Sequence, residues 1–203
     1  MTSPVALPVA TQRRVLADLI PRSVLTDIAL VAGAALFVGV LAQINIHLSF
    51  TPVPITGQTL GVLVAGSALG WKRGGLAMAL YMALGMVGVP WYSNHTHGWS
   101  VATGATGGYL FGFIVAAAVC GLLAAKGNDR KVLAAMGSMV VGNVIIYAFG
   151  VTWLAHVIHV SLAKAITRGL TPFLLGDAIK VIIAALILPG TWMLVDRARK
   201  SSS

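Results

Sequence analysis

The sequence contains no glutamate, and its only acids are five aspartates (Asp18, Asp27, Asp129, Asp177 and Asp196) against fourteen lysines and arginines. Charged residues make up 9% of the chain and hydrophobic ones 58%, whereas roughly a quarter of a soluble domain is charged. Too little charge is present to clothe a water-facing surface, so the composition excludes an ordinary soluble domain and implies an integral membrane protein. A single cysteine, Cys120, excludes an intramolecular disulfide and a cysteine-based zinc site, and reads as a small packing residue in an apolar helix. No GxxxxGK[ST], GxSxG or HExxH run occurs, and no two acids share one apolar segment. P-loop, hydrolase-elbow and zincin chemistry are therefore absent from the expectation, which names no catalytic residue, metal site or cofactor. Any ATP hydrolysis must come from another subunit.

The apolar residues are arranged in six runs. A spanning helix needs about 20 mostly apolar residues, and the candidates are Thr26 to Ile46, Gln58 to Leu69, Gly74 to Val89, Gly107 to Ala125, Val132 to Val157 and Leu170 to Leu194. The second and third are short, which suits tilted or shielded segments. The net charge of +9 is gathered in short stretches between these runs. That is the pattern of membrane flanks rather than of a nucleic-acid-binding surface. With six spans and the amino terminus inside, Arg13, Arg14, Arg22, Lys72, Arg73, Lys126, Arg130, Lys131, Arg197, Arg199 and Lys200 all fall on the cytoplasmic side. Lys164 and Arg168 fall outside, and Lys180 lies within the last span. The expected fold is an all-α integral membrane protein with six transmembrane helices and both termini cytoplasmic. Its parts are an N-terminal tail (1–25), a membrane domain (26–195) with its ligand site toward the outer side, and a C-terminal tail (196–203). Residues 1–14 hold no apolar core of signal-peptide length and read as a retained cytoplasmic tail, followed by a possible interfacial turn at Val15, Leu16, Leu19 and Ile20.

Asp177 and Lys180 stand three residues apart in the last apolar run, FLLGDAIKVIIAALIL. That spacing puts both on one helix face, which Leu174 and Ala184 continue. An ionisable group in the hydrocarbon region costs on the order of 2.5 to 3.5 kcal/mol and points to a site. The pair offers an acceptor beside a donor, suited to a polar ligand with N–H groups next to a carbonyl oxygen. A self-neutralising lock between helices and a proton relay are the other uses of such a pair. Prolines 52 and 54 hold the chain extended ahead of Thr56, Gln58 and Thr59. Of these Gln58 is the stronger ligand candidate, and Thr56 serves equally well as a cap. The segment from Gly88 to Phe113 carries Trp91, Tyr92, Trp99 and Tyr109 together with Asn94, His95 and His97. Its aromatics suit interfacial anchors or a loop closing over a ligand, with Asn94 as a hydrogen-bonding amide. His95, His97, His156 and His159 are the less favoured metal ligands. In the first run Ala29, Ala32, Gly33, Ala35 and Gly39 form a small-residue stripe, and the Ala35–Gly39 spacing permits close approach by another helix.

The stretches PVPITGQTLGVLVAGSALG, YMALGMVGVP, TGGYLFGF and TPFLLGDAIK together resemble the BioY family, the biotin-specific S components of energy-coupling factor transporters. The resemblance implies a multi-pass protein of a prokaryotic inner (plasma) membrane, embedded in lipid. Such a protein captures biotin from outside and docks on a transmembrane coupling subunit driven by two cytoplasmic ATPases. It also implies ligand contact at Asp177 and Lys180, with Asn94 and Tyr109 nearby, and docking through Ala35 and Gly39. Two departures stand out: Ala105 replaces an expected proline, and WYSNHTHGW replaces a small, glycine-rich loop. No Lys or Arg between Gly74 and Ala125 offers itself to a ligand carboxylate. A proton-coupled carrier using Asp177, an S component for another vitamin, and a histidine-metal intramembrane enzyme are the alternatives.

Overall fold

The computed structural model describes residues 15–201 and is almost wholly helical. The expectations for residues 1–14, Arg13 and Arg14 included, lie outside the described residues. Helix α1 (Val24–Ala42) starts at Ser23, whose side chain accepts the Thr26 N–H at 3.0 Å. A two-residue ribbon follows, β1 (Asn45–Ile46) against β2 (Ile55–Thr56), antiparallel with Asn45 opposite Thr56 and Ile46 opposite Ile55. Then come α2 (Gln58–Leu69), α3 (Trp71–Met86), the short α4 (Trp99–Ala102), α5 (Gly107–Ala125), α6 (Val132–Val157), α7 (Leu162–Gly169) and α8 (Leu174–Ser201).

Three of these helices, α2, α5 and α6, have the limits expected from the sequence. α1 stops at Ala42 rather than Ile46 because the next residues pair with β2, and α3 begins earlier, at Trp71. α8 runs through Pro189 to Ser201 without a break at the expected start of the tail. Among the described residues, four helical stretches are long and apolar enough to cross a membrane: Val24–Ala42, Gly107–Ala125, Val132–Val157 and Leu162–Ser201. α2 is a shorter apolar helix.

The packing is organised around α5, which lies against α2, α3 and α6. Helices α2 and α3 join through one residue, Gly70, whose φ of 82° is left-handed. That corner sits directly on α5: a side chain at Gly121 would collide with the backbone of Gly70 and Trp71. Close backbone approach of this kind is how helices associate where lipid supplies no hydrophobic drive. Leu63, Met78, Tyr81, Met139, Ile146 and Leu188 fill the interior. Cys120 is buried as expected and donates to the Ser138 carbonyl at 3.4 Å. Outward faces stay apolar, with Leu25, Ile28, Leu133, Val144, Leu175 and Ile182 exposed, as a lipid-facing belt requires.

One end of the bundle is closed by charge. Arg73 reaches Asp27 at 2.7 Å and Asp18 at 3.4 Å, and Arg22 reaches Asp18 at 2.7 Å. The segment carrying Asp18 is a 3₁₀ turn (Leu16–Leu19), with Val15 and Ala17 buried beside Leu69 and Ala124. At the same end the buried Asp129 accepts the Trp192 indole N–H at 2.6 Å, and Arg130 stacks on that indole 4.2 Å from its centre. Burial pushes the Asp129 carboxyl up. Burial acts the same way on Asp18, but the hydrogen bonds from Arg22 and the Val15 N–H, with the charges of Arg22 and Arg73, outweigh it and hold Asp18 below the ordinary 3.8. A depressed carboxyl stabilises the fold above its unfolded value and loses that contribution as pH falls through its folded value. Asp18→Asn should therefore cost on the order of 1 kcal/mol of thermal stability near pH 6. The difference from wild type should shrink once the pH falls below 3.8 and vanish below the depressed folded value, as read from melting curves in detergent.

Candidate ligand-binding site

A cavity of about 310 Å³ opens at the end of the bundle opposite the Arg73 cluster. Its walls come from the β1–β2 loop, the start of α2, the segment between α3 and α5, and the facing stretches of α5, α6 and α8. Asp177, Lys180, Gln58, Asn94 and Tyr109, the five ligand candidates taken from the sequence, all line it.

Asp177 and Lys180 occupy successive turns at the start of α8, three residues apart, so their side chains meet: Lys180 Nζ lies 2.8 Å from Asp177 Oδ1. Thr59, on α2, bridges them. Its hydroxyl donates to Asp177 Oδ1 at 3.2 Å and accepts from Lys180 Nζ at 3.0 Å. Tyr147, on α6, donates its phenol to Asp177 Oδ2. Asp177 is 5% exposed, and a carboxylate so buried is tolerable only when paired and hydrogen-bonded. Here both oxygens have donors. The pair is thus neither free nor sealed away, since both members border the cavity. The expected continuation of this face holds only in part: Ala184 is buried, but Leu174 is exposed on the outer flank of α8.

Gln58 sits at the first residue of α2 with its amide fixed in both directions. Nε2 donates to the Tyr81 hydroxyl at 2.8 Å and Oε1 accepts from Thr56 at 2.8 Å. Thr56 also accepts the Gln58 backbone N–H at 3.3 Å, the capping role foreseen for it. Tyr109 is wedged against Gly150 and Gly169, where a side chain would strike its ring and its hydroxyl respectively, and that hydroxyl donates to the Gly169 carbonyl at 2.7 Å. The ring, not the hydroxyl, is what Tyr109 offers the cavity. Phe113, Ile146 and Phe173 extend this apolar wall.

The roof is the segment from Trp91 to Thr96. Asn94 and His95 have left-handed backbones, with φ of 59° and 56°, a conformation that asparagine tolerates better than most residues. Gln43, just past α1, holds the segment: Nε2 donates to the Trp91 and Tyr92 carbonyls at 3.2 and 3.1 Å, and Oε1 accepts the His95 N–H at 3.0 Å. Trp91 and Tyr92 turn inward onto Tyr81, with ring centres 5.2 and 5.5 Å away, instead of facing an interface; only Trp99 is largely exposed. Burial pushes the Tyr92 phenol up to about 12, so it remains a donor, to the Met82 carbonyl at 2.5 Å.

Tyr147, Thr59 as the bridge, and Gln43 are the residues the sequence reading did not assign. The signal for Tyr147 was a tyrosine in the middle of an apolar span, where its hydroxyl must find a partner. Ala35 and Gly39, the proposed docking pair, are buried: Ala35 is fully enclosed, and a side chain at Gly39 would press on Trp91 at 3.2 Å. The small residues left on the surface of α1 are Ala29, Ala32 and Gly33. Among the described residues no three His, Cys, Asp or Glu side chains converge as a metal-binding group; the His156 ring lies 6.4 Å from that of His159 and 6.5 Å from that of Trp153.

Comparison with known proteins places this arrangement. The BioY family profile matches residues 11–197. The biotin transporter BioY of Thermotoga maritima is 45% identical over 142 residues, covering 70% of this chain and 82% of that protein. The biotin transporter BioY of Rhizobium etli is 37% identical over 166 residues, covering 78% and 87%. A crystal structure of the S component for biotin from an ECF-type ABC transporter superposes with a TM-score of 0.76 at 24% identity, over 83% of this chain and 92% of that one. The fold is therefore that of an S component, and with a family match running nearly end to end the chain belongs to the BioY family.

Proposed function

We propose that this protein is the biotin-capturing subunit of an energy-coupling factor transporter. The observation that carries the reading is the meeting of Asp177, Lys180 and Thr59 on one wall of a cavity otherwise lined by aromatic and aliphatic side chains. The biotin ureido group has two N–H donors and one carbonyl acceptor. Asp177 takes an N–H, Lys180 donates to the carbonyl, and Thr59 serves either. Binding is an exchange of partners: the ligand replaces part of an existing network, so no charge is left bare at any stage. The thiophane ring and valeryl chain lie against Tyr109, Phe113, Ile146 and Phe173. At the rim the carboxylate meets the side chains of His47, Asn94, Thr96 and Ser100, in place of a lysine or arginine.

The membrane topology in this reading has six crossings, made by α1, α2, α3, α5, α6 and α8, with both termini in the cytoplasm of a prokaryotic cell and the protein in its inner membrane. The short α2 and α3 are shielded by α5 on the inside of the bundle. Lys72, Arg73, Lys126, Arg130, Lys131 and Arg197 all gather at the Arg73 end, which supports a cytoplasmic assignment for that end and an external one for the cavity. Partners are a transmembrane coupling subunit and two cytoplasmic ATPases, with docking through α1. Because Ala35 and Gly39 face inward, the stripe available to a partner helix is Ala29, Ala32 and Gly33.

Lys180→Met and Asp177→Asn should each weaken biotin binding by about two orders of magnitude, the loss expected when one member of a buried charged pair is removed. Equilibrium binding to purified protein that elutes as a single species checks this; unchanged affinity in both variants refutes the assignment. A side chain at Gly33 meets nothing within 4 Å. Gly33→Leu should therefore leave biotin affinity intact while reducing the amount of coupling subunit recovered with the protein, as measured by co-purification.

A further inference from the structure

On the outer flank of the bundle, away from the cavity mouth, α6, α7 and α8 frame a second hollow of about 670 Å³. Along α6 it follows one stripe: Met136, Val140, Val144, Ala148 and Thr152. From Met136 to Thr152 the helix rises about 24 Å, most of the roughly 30 Å depth of a bilayer's hydrocarbon. Leu162 and Ile166 of α7 and Leu174, Ala178 and Ile182 of α8 form the other side. Apart from Thr152 and Asn143, polar groups reach it only where Tyr147 and Asp177 form its floor.

The head of this groove is set by α7. Leu162 and Ile166 point into the groove, Ala165 and Gly169 pack inward, and the exposed Lys164 and half-buried Arg168 lie on the polar side of the helix. These two cations are out of place for their end of the bundle. No acid occurs in residues 43–57, 88–106 or 158–173, and among the described residues neither cation has a carboxylate within ion-pair distance. Two unpaired cations on an amphipathic helix at the head of an apolar groove long enough to take the whole of one leaflet's acyl chain match the two halves of one molecule. A partner helix is a poorer fit, because close helix approach in lipid needs small residues, and Val140, Val144, Ile166 and Ile182 present bulk.

We propose that the α6–α7–α8 groove is a binding site for an anionic phospholipid, with one acyl chain along the α6 stripe and the phosphate at Lys164 and Arg168. The bound chain lies behind the Asp177–Tyr147 wall and separates it from bulk lipid. The inference goes beyond the biotin assignment and does not rest on it.

The test uses the full chain in nanodiscs of equal phosphatidylglycerol and phosphatidylcholine, with lipid retention after extraction read by native mass spectrometry. Wild type should retain phosphatidylglycerol over phosphatidylcholine by about thirtyfold, the preference expected from two interfacial cations. Lys164→Ala with Arg168→Ala should abolish the preference. Val144→Trp, at a position already 61% exposed and thus tolerant of bulk, should lower retention of both lipids. Equal retention of the two lipids by wild type, or retention unchanged by these variants, overturns the proposal. So does a dimer of this chain that Val144→Trp dissociates, since the groove would then be an interface between copies.

Discussion

An acid and a base in a membrane interior are tolerable only together, and here even together they need help. Lys180 neutralises Asp177, Thr59 touches both, and Tyr147 occupies the remaining carboxylate oxygen. Three helices, α2, α6 and α8, therefore converge on one carboxylate. Their contact holds open the adjoining space, because a network already satisfied has no reason to collapse inward. The aromatic wall beside it needs no such support, being held by backbone: Tyr109 is clamped by two glycines and by the Gly169 carbonyl.

The two ends of the bundle solve opposite problems. At the Arg73 end, charges pair among themselves and with Trp192, and the segment before α1 packs down as a plug. At the cavity end the loops carry no acid, and hydrogen bonding is done by amides and hydroxyls. A site of neutral donors around one buried ion pair favours a ligand with a polar, uncharged head, and disfavours one that would leave Lys180 or Asp177 without a partner.

Much of this was legible in the sequence because the membrane makes polar residues conspicuous. Asp177, Lys180 and Gln58 stood out against apolar runs, and the limits of α2, α5 and α6 followed from those runs. What was hidden depended on direction rather than identity. Helix α1 is apolar on every side, so nothing in its composition told that Ala35 is enclosed in the core and Gly39 lies against Trp91 while Ala29, Ala32 and Gly33 face out. Trp91 and Tyr92 read as surface anchors because the partner that buries them, Tyr81, is ten residues away on another element. The continuation of α8 beyond Leu194 to Ser201 was not legible because Asp196, Arg197, Arg199 and Lys200 end the apolar run and read as a tail, although polar residues of this kind do not themselves end a helix.

Gln43 ties these levels together. Through three hydrogen bonds its amide fastens the end of α1 to the segment roofing the cavity. A tilt or rotation of α1 must either drag that roof sideways or rupture those bonds. The lever and the lid are thus one piece, and whatever grips the outer face of α1 has a mechanical hold on the entrance through which the vitamin passes.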